Sequence, residues 1–312
     1  MASSFAECSL AQLYTERDAH GQFRGGPAWY MSRGLGMRWM GIVFSILLLL
    51  AYGVIFNTVQ ANSIANAMTY AFDLPAIVTG CALALVILLV IVRGLRGVAK
   101  LLQWIVPLMA LLWVTTSLLI GLWHITALPA IFESIFRSAF GWQEAAAGAV
   151  GYTISQALTS GFQRGMFSNE AGMGSTPNAA AAAASWPPHP AAQGIVQMIG
   201  VLIDTIVICT ASAVIIMLAP LDDAEDAANG IQSIQHAMTS LVGGWGAGFV
   251  AIVVLLFAFS SIVANYIYAE NNLIFLRINS PRHIWALRIL TLVMVIAGTL
   301  VGLPVVWQLA DT

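Results

Sequence analysis

The sequence predicts an all-α polytopic membrane protein with about seven complete transmembrane helices. Three observations carry that prediction. Of 312 residues, 59% are hydrophobic and only 8% charged, against about 25% charged in ordinary soluble domains. Mean hydropathy is +0.85. Uncharged apolar runs recur along the chain, each near the length of about 20 residues that crosses about 30 Å of hydrocarbon. So little charge does not cover a water-facing surface, which excludes a soluble enzyme, a nucleic-acid binder and a disordered scaffold. A net charge of −2 gives no field that would draw a polyanion. The lipid bilayer is the solvent of this chain.

The segment Ala2 to Tyr14 is too short to cross and reads as the tail of a helix. The complete spans then run Met40–Tyr70, Pro75–Val92, Val98–His124, Ala145–Phe167, Ile195–Leu218, Trp245–Ala269 and Trp285–Leu303. Between the third and fourth, Ile131, Phe132, Ile135, Phe136 and Phe140 recur at helical spacing with charges opposite, which predicts a short helix lying at the outer interface. Alternate threading puts Arg17, Arg24, Arg33, Arg38, Arg93, Arg96, Lys100, Arg277, Arg282 and Arg288 on one side. Arg137 falls opposite, with Asp222, Asp223, Glu225 and Asp226. The bias in basic residues makes the first side cytoplasmic, in a plasma membrane of the bacterial inner-membrane type. Cys8, Cys81 and Cys209 are scattered and read as packing residues.

The fourth span leads into Gly161-Phe-Gln-Arg-Gly165-Met-Phe-Ser-Asn-Glu170-Ala-Gly-Met-Gly-Ser175-Thr-Pro-Asn. Glycine costs about 1 kcal/mol inside a helix and proline about 3. Gly172 and Gly174 therefore predict an unwound link, Thr176 an N-cap with Pro177 in the first turn, and Ala179 to Ala184 a second helical piece ended before Pro187. Half-helix, break, half-helix is an arrangement that membranes tolerate only where the loose chain is buried or lines a watery cavity. Freed carbonyls there can ligate a cation such as Na⁺, and positive helix ends can hold a carboxylate. The competing reading is a turn in water between ordinary helices. If Arg164 and Glu170 are buried, they must pair with each other or with a ligand.

At these residues the chain resembles the alanine or glycine:cation symporters, the sodium:alanine symporter family. Phe167-Ser-Asn-Glu-Ala-Gly-Met-Gly-Ser175 with Pro177 and the alanine run is similar to that family's signature. Phe5 to Tyr14, Gly25 to Tyr30, Val59 to Ala65, Phe257 to Ser261 and Glu270-Asn-Asn also resemble its members, so the likeness covers essentially the whole chain. It implies a partial leucine-transporter-like inverted-repeat bundle, a single transmembrane transporter domain over 1–312. It also implies that the family's first helix and its C-terminal helices lie outside this sequence.

The function so implied is a secondary active symporter that imports a small neutral amino acid, alanine or glycine, with Na⁺ by alternating access. The alternative is an incomplete transporter without activity of its own. No cofactor is expected besides the co-transported Na⁺. Ser168, Asn169, Gly172, Met173, Gly174 and Ser175 are the candidates for the amino-acid pocket, since small residues admit a small substrate and Met173 shapes an apolar wall. Gln60 joins them: it lies about 200° around a helix from Asn62, so only one of the two faces a central cavity. Ser260 and Ser261 offer oxygens to Na⁺, or equally interhelical hydrogen bonds. Glu170 and the isolated carboxylate Asp204 are candidates for ion coupling or a supporting network. An intramembrane enzyme is disfavoured, because the sequence carries no HExxH or GxSxG motif.

Overall fold

The computed structural model describes residues 1–18, 21–139, 159, 161, 165, 168–219, 230–302 and 305–306. In chain order α1 is Ala2–Leu13, β1 Glu16–Arg17, β2 Phe23–Arg24 and α2 Pro27–Arg33. The long helix α3 spans Arg38–Phe72 and contains a π-helical stretch at Ala51–Ile55. Next come α4 (Ala76–Ile91), α5 (Gly94–Trp123), α6 (Leu128–Ala139) and α7 (Thr176–Ala182). The helix α8 spans Pro190–Leu218, with a second π-helical stretch at Ile203–Cys209. The last three are α9 (Ile231–Val242), α10 (Gly246–Phe275) and α11 (Pro281–Leu300).

The protein is an all-α polytopic membrane protein. Among the described residues five helices are long and apolar enough to cross, namely α3, α5, α8, α10 and α11. The second expected span is the shorter apolar helix α4, of 16 residues. The fourth, Ala145–Phe167, lies essentially outside the described residues, as does the acidic cluster at Asp222–Asp226. The interfacial segment forms α6 as its apolar spacing predicts.

The centre of the bundle is α10, packed against α3, α4, α5, α9 and α11. Its core joins Ile64 of α3, Ile87 of α4, Ile262 and Tyr266 of α10 and Val295 of α11. Small residues set the closest approaches. A Cβ on Gly298 would meet the backbone of Thr58 at 2.7 Å, so α11 lies directly on α3. Gly194 likewise brings α8 against Phe5 and Ser9 of α1.

Two expectations at helix ends are corrected. The N-cap of α7 is Ser175 rather than Thr176, and its hydroxyl does not cap because it donates to Glu170. The alanine helix stops at Ala182, short of Pro187. Gln12 of α1 takes the terminal carbonyls, its Nε2 donating to Ala180 and, at 2.8 Å, to Ala183. In addition, α10 runs past Ala269, the expected end of the sixth span, to Phe275, so Glu270, Asn271 and Asn272 continue the same buried helix.

Candidate substrate and ion site at the helix break

From Glu170 to Ser175 the chain leaves the helix. Glu170, Gly172 and Gly174 have φ of 52°, 94° and 80°, left-handed conformations that glycine adopts without steric cost. At Gly174 the space is closed as well, because a Cβ would meet the Phe44 ring at 2.7 Å. Asn169 supports the turn by accepting from the Ala171 N–H at 3.1 Å. Met173 packs on the cluster of Leu48, Tyr52 and Phe56. At 1.5 Å per residue, Phe44 stands about 9 Å and Phe56 about 27 Å along α3 from Arg38. The unwound chain thus runs beside the interior of a spanning helix rather than beyond its end.

Two of its carbonyls are met by one side chain. Asn178, 4% exposed, donates through Nδ2 to the carbonyls of Gly174 and Ser175 at 2.9 and 3.1 Å. Its Oδ1 accepts from Asn271 at 2.7 Å and Asn272 at 3.0 Å on α10. The same device recurs in α3, where Asn57 donates to the carbonyls of Tyr52 and Gly53 at 2.9 and 3.3 Å beside the π-helical stretch. Asn265 of α10 holds the Asn57 Oδ1 at 3.2 Å.

Two carboxylates flank the break. Glu170 accepts from the Ser175 hydroxyl, and Glu7 of α1 faces the backbone N–H of Gly172. The buried Tyr52 hydroxyl faces Glu170 and Ser175 without completing a hydrogen bond. Among the described residues no ion pair joins Glu7, Glu170 or Asp204 to a cationic side chain; Arg164 lies outside them. All three are half-buried, and carboxylates partly withdrawn from water without a counter-charge suit a cation: Na⁺, or the ammonium of an amino acid.

The remaining candidates fall into three places. Ser168 donates to Asp204 at 2.9 Å and lies 3.1 Å from the Cys209 sulfur, while Asn169 donates to Thr205 at 3.0 Å. Both therefore fasten the break to the π-helical stretch of α8. Gln60 lines a cavity of about 280 Å³ with Trp113, Ser212 and Phe257. Asn62 turns away, donating to Gly298 and Val301 carbonyls at 3.1 and 2.7 Å. Ser260 and Ser261 donate to the Phe257 carbonyl at 2.7 and 3.1 Å, which leaves oxygen lone pairs but uses the protons within α10. Sequence reasoning assigned no role to Glu7, Tyr52, Asn57, Asn178, Asn265, Asn271 or Asn272. The available signal was polar amides inside otherwise apolar helices, which lipid tolerates only with partners.

The sodium:alanine symporter family model matches residues 1–312. The chain belongs to that family. Its members are transporters rather than enzymes. The chain is 68% identical over its whole length to the uncharacterized transporter YaaJ of Escherichia coli, spanning 65% of that protein. It is 45% identical to the amino-acid carrier protein AlsT of Bacillus subtilis, again over all of this chain and 64% of that one. It is 33% identical to the sodium/alanine symporter AgcS of Methanococcus maripaludis, over 68% of that protein. The chain thus spans a little under two thirds of the length of the first of these relatives.

Proposed function

We propose that the chain carries the substrate and ion site of a symporter that moves a small neutral amino acid, alanine or glycine, together with Na⁺. The observation that carries this reading is the loose chain from Glu170 to Ser175 beside Phe44, Tyr52 and Phe56 of a spanning helix. Main chain in that position is tolerated when it lines a ligand cavity. Gly172, Met173, Gly174 and Ser175 would border the amino acid, with Gln60 across the bundle. Glu170 would carry the charge that balances the cation, and Asp204, with Ser168 and Asn169, would couple the break to α8. Ser260 and Ser261 would contribute oxygens to Na⁺. The names of AlsT and AgcS support amino acids and alanine as cargo. The basic loops would face the cytoplasm across a bacterial-type inner membrane.

The driving force suffices. One Na⁺ moving inward gains about 2.3 kcal/mol per 100 mV and about 1.4 kcal/mol per tenfold gradient, enough for accumulation on the order of several hundredfold. The test is uptake of labelled alanine and glycine into proteoliposomes with an imposed Na⁺ gradient. Gradient-dependent uptake is expected. Gly174→Val, which drives a Cβ into Phe44, is expected to reduce it to background while membrane insertion persists. Full uptake by Gly174→Val, or uptake indifferent to Na⁺, would overturn the reading.

A further inference from the structure

A second polar cavity, of about 330 Å³, opens at the end of the bundle where the basic loops gather. It is bounded by the β1–β2 hairpin, α2, the first turn of α3 and the end of α10, and its lining includes Arg17, Arg24, Arg33, Arg38 and Arg277. Some of that charge is already matched. Arg33 pairs with Glu16, and Arg24 contacts Asp18 at 3.3 Å and Glu270 at 3.2 Å. Arg17, whose guanidinium stacks on the Phe23 ring, Arg38 and Arg277 form no ion pair among the described residues. Arg24 is 7% exposed and its charge is taken up by Asp18 and Glu270. Three guanidinium groups without a counter-charge on the wall of one polar cavity, those of Arg17, Arg38 and Arg277, make a site short of an anion.

The surroundings say which kind. Arg38 is the first residue of a membrane-spanning helix. Trp39, Leu35 and Met37 expose apolar surface next to it, as at a headgroup boundary. We propose that this pocket binds a phosphate group between Arg38 and Arg277, beside Arg17, and that the phosphate is the headgroup of an anionic phospholipid. Basic pockets at the ends of spanning helices hold such headgroups through charge-assisted hydrogen bonds. The inference is independent of what the protein transports.

The experiment is native mass spectrometry of the 312-residue chain released from micelles containing phosphatidylglycerol or phosphatidylcholine, with inorganic phosphate titrated in a parallel arm. Arg38→Gln with Arg277→Gln removes two of the three unmatched charges. Arg93→Gln with Lys100→Gln removes two exposed charges from the same set of basic loops, outside the pocket, as the matched control. At about a fivefold contribution per arginine, retention of phosphatidylglycerol is expected to fall about 30-fold in the first pair. It is expected to hold in the control, and phosphatidylcholine is expected to bind weakly to all. If inorganic phosphate binds with the same dependence on Arg38 and Arg277 while phosphatidylglycerol does not, the phosphate site stands and its lipid source is overturned. Equal loss in both pairs, or loss in neither, overturns the site.

Discussion

The molecule interrupts its helices in two ways, and the contrast between them shows how a bilayer limits backbone freedom. Between Glu170 and Ser175 the chain abandons the helix, using glycines at positive φ. Between Ala51 and Ile55 it stays wound but shifts to π-helical bonding. Both events disturb the carbonyl ladder, and both end with an asparagine about one turn onward. Asn178 takes two carbonyls at the break and Asn57 takes two at the π-helical stretch. Each asparagine is then held from α10, by Asn271 and Asn272 in one case and by Asn265 in the other. One buried helix thus acts as the frame against which both irregular segments are fixed. The π-helical stretch of α8 differs: none of its residues is buried, and its fastening to the break runs through the exposed Ser168 and the half-buried Asn169.

Breaking the comparison begins with Asn178. Asn178→Ala would strand the Gly174 carbonyl, leave the Ser175 carbonyl with the backbone N–H of residue 178 at 2.9 Å, and unpair donors of Asn271 and Asn272 from their shared acceptor. Each buried polar group left without a partner costs about 1–3 kcal/mol, and the lone carbonyl with the two released amide donors gives about 3 kcal/mol. Denaturant unfolding in micelles measures it, and a loss below about 1 kcal/mol would mean that water replaces the side chain. Asn57→Ala comes next, at about 2 kcal/mol. The Tyr52 and Gly53 carbonyls remain within a wound helix and keep part of their bonding, so less is lost. Equal losses at Asn57 and Asn178 would show that the two kinds of interruption demand the same compensation.

The two interruptions also differ in how far the sequence reveals them. The break is written in residue types, since Gly172, Gly174 and Pro177 disfavour a helix whatever surrounds them. Spans were legible for a similar reason, because length and hydropathy are properties of the chain alone. Neither π-helical stretch leaves such a mark: Ala-Tyr-Gly-Val-Ile reads as helix, and only the bonding partner changes. The asparagine clamps were hidden for a further reason. Asn178 meets Asn271 across 93 residues of sequence, and a polar residue in an apolar helix announces that it needs a partner without saying which. Ending the sixth span at Ala269 left Glu270, Asn271 and Asn272 outside the core, because a run of polar residues reads as the edge of the membrane until a facing helix supplies their bonds.

The smallest effect is expected where the fastening is most exposed, and there the comparison becomes sharpest. Ser168→Ala removes one donor to Asp204, 2.9 Å away. Both partners keep access to water, so the loss of stability is expected to be about 0.5 kcal/mol. The same substitution removes one of the two side-chain fastenings between the break and α8, leaving Asn169 to Thr205, whereas Asn57→Ala touches neither. Under the proposed mechanism it is therefore expected to shift the Na⁺ concentration for half-maximal uptake while unfolding hardly changes. A destabilisation approaching that of Asn57→Ala would show that the α8 junction is as firmly built as the two held from α10. No shift in the Na⁺ dependence would remove Asp204 and Ser168 from the coupling and leave them as simple packing contacts.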